Sequence, residues 1–105
     1  MDNIGQARTV KIGPVTYEIK VVRGLMDDAK NTKLWGQISY ENCIIELEED
    51  QNSSANRVIL WHEIVHGLLQ GSGHSKLDDK EDLVTALAYG IVGVLKDNPW
   101  LAEKA

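Results

Sequence analysis

The sequence predicts an α+β fold, in which an antiparallel sheet of about four strands is followed by two main helices. Two observations support this fold class. Short runs of alternating or β-branched apolar residues, separated by turn residues, fill the first half of the chain. In the second half, apolar residues recur every three to four positions, as in amphipathic helices. The chain has 105 residues, and we expect a single domain over 1–105.

Composition and charge exclude several classes of protein. The net charge is −5, so a broad basic surface for nucleic acid is not expected. The single cysteine, Cys43, cannot form an internal disulfide. The sequence shows neither a charged-then-apolar leader nor an apolar run long enough to span a bilayer. We therefore expect a cytoplasmic protein that has no nucleic-acid partner and no membrane partner.

The first two strands are predicted to form a hairpin. Residues 1–7 look loose, residues 8–12 form a short strand, and Gly13-Pro14 turns the chain. The run 15–22 then alternates strongly between apolar and polar residues. Its apolar residues share one face: Val15, Tyr17, Ile19 and Val21.

Two further strands are predicted before the helices. A polar connection, 23–33, leads to a third strand over 34–40 that bends at Gly36. The fourth strand, 43–47, has an apolar face formed by Cys43, Ile45 and Leu47. A free cysteine on such a face is usually a small inert apolar residue, so we assign Cys43 no chemical role.

The first helix is predicted over residues 53–70. Its start is marked by three N-cap candidates, which are Asn52, Ser53 and Ser54. Gly71 and Gly73 can end it by adopting positive φ angles. Apolar residues cover most of its circumference, so we expect a central helix that is packed from two sides.

The second helix is predicted over residues 79–96, after a loop of about ten residues, 71–80. Its apolar stripe consists of Val84, Leu87, Ala88, Ile91, Val94 and Leu95. Asp97-Asn98-Pro99 ends it, because the residue before a proline avoids the helical conformation.

The first helix contains His-Glu-x-x-His, formed by His62, Glu63 and His66. Successive helical residues advance by about 100°, so the two histidines lie only about 40° apart on one face and can bind one metal ion. Glu63 flanks that face, where a general base can take a proton from a metal-bound water. The alternative is that both histidines are structural and bond to carbonyl or carboxylate groups.

A catalytic zinc ion needs three protein ligands and one open position, so a third ligand is missing from this motif. Glu81 lies on the margin of the second helix's apolar stripe, whereas Asp82 is expected to face water. Glu81 is the favoured ligand; alternatively, Asp78 and Glu81 form a local capping pattern. His74, in its glycine-containing loop, is the rival third ligand.

Together these motifs resemble the ImmA/IrrE-type zinc metallopeptidases, which are gluzincin-like proteins common in bacteria and their phages. Their second motif is similar to Glu-x-x-Ala-x-x-Phe-Ala, and residues 81–88 follow it with Val84 and Leu87 as departures. The chain also resembles the small phage or prophage members that end near an Asn-Pro-Trp, here residues 98–100. The resemblance implies a small zincin-like domain, with His62, His66 and Glu81 as ligands of Zn²⁺ and Glu63 as the general base.

We therefore expect a zinc-dependent endopeptidase whose partner is a protein or peptide substrate. The resemblance implies a transcriptional regulator as one such substrate. It also implies that an extended peptide pairs with a sheet edge, for which we expect the strand 42–47. Oxyanion stabilisation is expected from Tyr40, His74 or Tyr89. Two alternatives are a zinc-stabilised interaction module without catalysis and a non-peptidase hydrolase that uses His74 as third ligand.

Overall fold

The computed structural model describes residues 8–27 and 29–103, and the segment 1–7 that is predicted to be loose lies outside them. The strands are β1 (Arg8–Ile12), β2 (Val15–Val22), β3 (Met26–Asp27), β4 (Thr32–Lys33), β5 (Gly36–Ser39) and β6 (Ile44–Glu48). The helices are α1 (Ser53–Gly71), α2 (Ser75–Asp78) and α3 (Glu81–Asp97), followed by a 3₁₀ turn at Pro99–Ala102. None of the helices in the described ranges combines the length and hydrophobicity that a membrane crossing requires.

The α+β class and the four-stranded sheet are confirmed. The sheet has the strand order β1-β2-β6-β5. β1 and β2 form the predicted antiparallel hairpin, and Gly13 turns between them with φ +60°, an angle that favours glycine. Tyr17 and Ile19 of β2 are buried on the face that the alternating pattern predicts.

The prediction that the sheet is antiparallel throughout is wrong, because β6 lies parallel to β2. β5 and β6 are an antiparallel pair, but β6 occupies the inner position and β5 the edge. The reason lies in their composition. Ile45 and Leu47 of β6 are fully buried, whereas β5 has a single large apolar residue, the partly buried Ile38. The more apolar strand takes the central place, as parallel-paired strands usually do.

The polar connection after β2 contains a short antiparallel ribbon, in which the two residues of β3 pair with the two residues of β4. This ribbon was not predicted. It is fastened to the end of β6 by Glu48, whose side chain is completely buried. The Glu48 carboxylate accepts backbone N–H bonds from Leu25 at 2.9 Å and Asp50 at 3.0 Å, and it pairs with Lys33. A buried carboxylate with this many donors is a structural anchor.

α1 lies between the sheet and α3, as its apolar circumference predicts. Gly67 allows the close approach to the sheet, since a Cβ there would lie 2.9 Å from Ile12 Cδ1. Asn52 caps the helix by accepting the Ala55 N–H at 2.8 Å. α1 ends one residue later than predicted, and α3 begins two residues later because the short helix α2 occupies part of the predicted loop.

Cys43 is not part of a strand, which corrects the prediction for 43–47. It sits in the turn before β6 with φ +55°, and its thiol lies 3.7 Å from the Tyr40 carbonyl oxygen. Its side chain still packs against the core of the sheet.

Candidate metal centre

The three predicted ligands meet at one point. His62 and His66 stand one turn apart on α1, and Glu81 is the first residue of α3, which packs across α1. The two histidine Nε2 atoms are 3.2 Å apart. The Glu81 carboxylate lies 3.0 Å from His62 Nε2 and 2.7 Å from His66 Nε2. Across the described residues, these three are the group of histidine, cysteine and acidic side chains whose donor atoms converge closely enough for a metal ion.

The donor set fits a small divalent ion. With metal–ligand bonds of about 2.0–2.1 Å, a tetrahedral site separates its ligand atoms by about 3.3 Å, close to the distances between these donors. Two imidazole nitrogens and one carboxylate oxygen suit zinc, and three protein ligands leave one position open. The Glu81 side chain is 66% exposed, so it has the freedom to move the few tenths of an ångström that an ion would need.

The outer nitrogen of each ring faces a different partner. His66 Nδ1 lies 2.6 Å from Asp78 Oδ1, and the Asp78 side chain is only 12% exposed. His62 Nδ1 lies 3.5 Å from the hydroxyl oxygen of Thr85, one turn along α3 from Glu81. In both rings Nε2 therefore points inward to the cluster.

The electrostatic surroundings separate the two histidines. Burial lowers the pKa of His62, and the neighbouring Glu81 carboxylate opposes that shift only in part. Burial also acts to lower the pKa of His66. The hydrogen bond to Asp78 and the charges of Glu81 and Glu63 outweigh it, so the pKa of His66 is raised. The ring with the buried carboxylate partner is thus the more basic of the two.

Glu63 is buried beside this cluster, with 6% of its surface exposed. Burial raises its pKa to about 7; the charge of His66 opposes this shift, and the charges of Glu81 and Asp78 add to it. A carboxylate whose pKa lies near neutrality suits a general base. The room for its side chain comes from Gly36 of β5, because a Cβ at that position would lie 3.2 Å from Glu63 Oε2.

These residues line a cleft of about 570 Å³ between α1, α2 and strand β5. Gly36, Gln37 and Ile38 form its wall on the side of the sheet. The strand predicted as the peptide-binding edge, 42–47, cannot serve, because β6 is paired on both sides by β2 and β5. β5 is the edge of the sheet beside the cleft.

Of the three residues expected to stabilise an oxyanion, only Tyr40 lines the cleft. Its hydroxyl group lies 3.1 Å from both carboxylate oxygens of Asp78, and burial followed by the Asp78 charge raises its pKa. Tyr89 is exposed and does not line the cleft. His74 is exposed where α2 begins and lies outside the metal-binding group.

Sequence reasoning missed the roles of Asp78, Thr85 and Gly36. The capping interpretation of Asp78 is wrong, since its carboxylate bonds to His66 and Tyr40, and the N-cap residue of α3, Lys80, makes no side-chain capping bond to the described residues. The sequence did contain a signal for Asp78. Histidine ligands commonly bond to a carboxylate through the second ring nitrogen, and Asp78 is an acidic residue close in sequence to the candidate ligands. Asp82, as predicted, is exposed.

Comparison with known proteins does not assign a family: no family model, curated protein or solved structure matches this chain. The ImmA/IrrE resemblance therefore stays a prediction drawn from the motifs. What the site can do is inferred from the distances and the burial of its residues.

Proposed function

We propose that the protein is a zinc-dependent metallopeptidase that hydrolyses peptide bonds. The observation that carries this proposal is the convergence of His62 Nε2, His66 Nε2 and the Glu81 carboxylate, with the buried carboxylate of Glu63 beside them. When bound, zinc supplies polarisation of the scissile carbonyl and lowers the pKa of a water molecule.

Glu63 is the proton carrier in this mechanism. Its ionised carboxylate takes the proton of the attacking water at Oε1 or Oε2, and it later passes that proton to the leaving amine. In the metal-free protein, burial raises the pKa of Glu63 to about 7, so its carboxylate accepts a proton more readily than an exposed glutamate does. His62 and His66 contribute by holding the ion and do not need to change protonation state.

Strand β5 supports binding of an extended peptide. It is the edge of the sheet and forms a wall of the cleft, so its outward backbone N–H and C=O groups can pair with a substrate strand. Backbone pairing requires no particular side chain in the substrate, and a strand paired with β5 would enter the cleft that the two histidines and Glu63 also line. β5 therefore takes the place of β6, which was predicted to be the strand that pairs with a peptide.

The metal is tested by elemental mass spectrometry of the purified protein and two variants. We expect about one zinc per chain in the unmodified protein and in His74→Ala, and loss of zinc in Glu81→Gln. Loss in His74→Ala with retention in Glu81→Gln would overturn the proposed ligand set and support the hydrolase built on three histidines.

The activity is tested with a peptide library derived from a digested proteome, incubated with the zinc-loaded protein and analysed by mass spectrometry. Glu63→Gln is the matched control, because it keeps the size of the side chain and all three ligands. New peptide termini that form with the unmodified protein and not with Glu63→Gln are the expected result. Identical termini in both samples would contradict catalysis and favour a zinc-stabilised interaction module.

A further inference from the structure

The His66 ring lies between two carboxylates. Its Nδ1 is 2.6 Å from Asp78 Oδ1, and its Nε2 is 2.7 Å from Glu81 Oε1. These two partners differ in their access to water, since the Asp78 side chain is 12% exposed and that of Glu81 is 66% exposed. A neutral imidazole has a single proton, so it can donate to only one of them.

Asp78 is itself held in place. The Tyr40 hydroxyl group lies 3.1 Å from each of its carboxylate oxygens and donates its proton to that carboxylate. Tyr40 follows strand β5 in the turn to β6, and its side chain packs against the core of the sheet. The carboxylate that faces His66 is therefore connected to a rigid part of the fold, although Asp78 belongs to the short helix α2.

We propose that Tyr40 and Asp78 are positioning residues, which keep the His66 proton on Nδ1 and so direct the Nε2 lone pair into the metal centre. This inference rests on the proposed metal site. Water competes with the imidazole for the exposed Glu81 carboxylate, but it has little access to Asp78, so the bond to Asp78 is the stronger of the two. A fixed Nδ1–H also fixes the orientation of the ring and makes its Nε2 a better ligand.

The two histidines provide an internal comparison. Among the described residues, the hydrogen-bond partner of His62 Nδ1 is the Thr85 hydroxyl, at 3.5 Å, which is at the limit of a hydrogen bond. A weak neutral partner positions a ring less firmly than a short bond to a carboxylate. Removing the Thr85 hydroxyl with Thr85→Val is therefore expected to affect zinc binding much less than removing the Asp78 carboxylate.

The first experiment measures zinc affinity by competition with a chromophoric chelator. Asp78→Ala is expected to bind zinc 10- to 100-fold more weakly, roughly the usual effect of losing such a partner. Tyr40→Phe and Asp78→Asn are expected to lose less, because one keeps the carboxylate and the other keeps an acceptor oxygen. Asp79→Ala is the matched control, since it removes a neighbouring exposed carboxylate that lines the same cleft but does not contact either histidine.

The second experiment determines the tautomer directly, by ¹⁵N NMR of histidine-labelled, metal-free protein at about pH 9, well above the ordinary histidine pKa of about 6.5. We expect Nδ1–H on His66 in the unmodified protein and in Asp79→Ala, and a shift to Nε2–H in Asp78→Ala. An Nε2–H tautomer in the unmodified protein would overturn the inference.

The outcomes separate this inference from the proposed function. If the unmodified protein binds zinc and Asp78→Ala binds it as tightly as Asp79→Ala does, the positioning role is wrong and the metal site stands. If the unmodified protein binds no zinc, the proposed function is wrong, and the tautomer still decides whether Asp78 fixes the ring. Should Asp78→Ala fail to fold, zinc affinity and the His66 tautomer are measured in Asp78→Asn and Tyr40→Phe instead.

Discussion

Glu48 and Glu63 are both buried glutamates, yet their surroundings shift the pKa in opposite directions. Hydrogen bonds from the Asp50 N–H, the Lys33 ammonium group and the Leu25 and Gly24 N–H groups lower the pKa of Glu48 to about 2, although burial opposes them. Burial raises the pKa of Glu63 to about 7, and no hydrogen bond from the described residues offsets it.

The difference teaches that burial alone does not determine the charge state of a carboxylate, because the donors and charges around it also shift its pKa. Glu48 has its donors supplied by the fold, and it fastens the segment after β2 to the end of β6. Glu63 stands beside a cleft and receives no such donor from the part of the chain that the structure describes, which destabilises its charged form. The first arrangement is typical of a structural role and the second of a functional one.

The largest expected effect is on catalysis. Glu63→Gln should lower the peptidase rate by at least about 100-fold, because general-base catalysis typically contributes that much or more. Bound zinc should stay near one ion per chain, since none of the proposed ligands changes. Initial rates on a cleaved peptide from the library, together with zinc content, test this. A variant that keeps full activity would remove Glu63 from the mechanism.

The corresponding substitution at the other buried glutamate is Glu48→Gln. It should leave the zinc content unchanged and lower the Tm by roughly 10 °C or more. The glutamine amide brings its own N–H donors toward backbone N–H groups that need an acceptor, and it leaves Lys33 without its partner. Glu49→Gln is the matched control, because that exposed neighbour only pairs with Arg23 at the surface. Thermal melts that give the same Tm for both variants would contradict the anchoring role.

Acid should weaken the same anchor. The Glu48 pKa is about 2 in the folded protein and ordinarily 4.5, so its stabilising effect is complete above pH 4.5 and is lost as the pH falls toward about 2. The unfolding midpoint in urea should therefore drop more steeply with acidification for the unmodified protein than for Glu48→Gln. Parallel curves for the two proteins would show that Glu48 does not contribute to the acid sensitivity.

The helices and the hairpin could be predicted because their information is local. The His-Glu-x-x-His spacing, the Asn52 cap and the proline after Asn98 set the helix limits to within about two residues. The alternation in 15–22 identified the buried face of β2. Glu81 was found near the histidines because helical periodicity placed it at the end of a buried face.

Strand order and the partners of the histidines could not be predicted, because both depend on which distant segments meet. Either β5 or β6 could pair with β2, and the greater burial of the β6 side chains, which goes with its inner position, becomes visible only in the folded sheet. Asp78 looked like a helix cap because its local spacing to Glu81 fits one. Its contacts with His66 and Tyr40 arise only when α2 packs against the end of α1 and the turn after β5.

Gly36→Ala tests the packing that makes room for Glu63. A Cβ at this position would overlap Ile59 Cγ2 and press on Glu63 Oε2, so we expect a destabilisation of about 1–3 kcal/mol and a displaced Glu63 carboxylate. Gly90→Ala is the control, because a Cβ there meets open space on helix α3 and should stabilise by about 0.5–1 kcal/mol. Urea unfolding of both variants measures the difference, and equal midpoints would mean that β5 adjusts freely.

The smallest expected effect distinguishes the two glutamates best. The same substitution to glutamine should stabilise the metal-free protein at position 63 and destabilise the protein at position 48. In the metal-free protein, Glu63→Gln should raise the free energy of unfolding by about 1–2 kcal/mol near neutral pH, because it removes a buried charge that lacks donors. The proposed zinc ion would offset this cost, so the gain should shrink when zinc is added. Urea unfolding with and without a chelator checks both statements. A Glu63→Gln variant that is less stable than the unmodified protein, as Glu48→Gln is expected to be, would mean that Glu63 is a second structural anchor and not the group that moves protons.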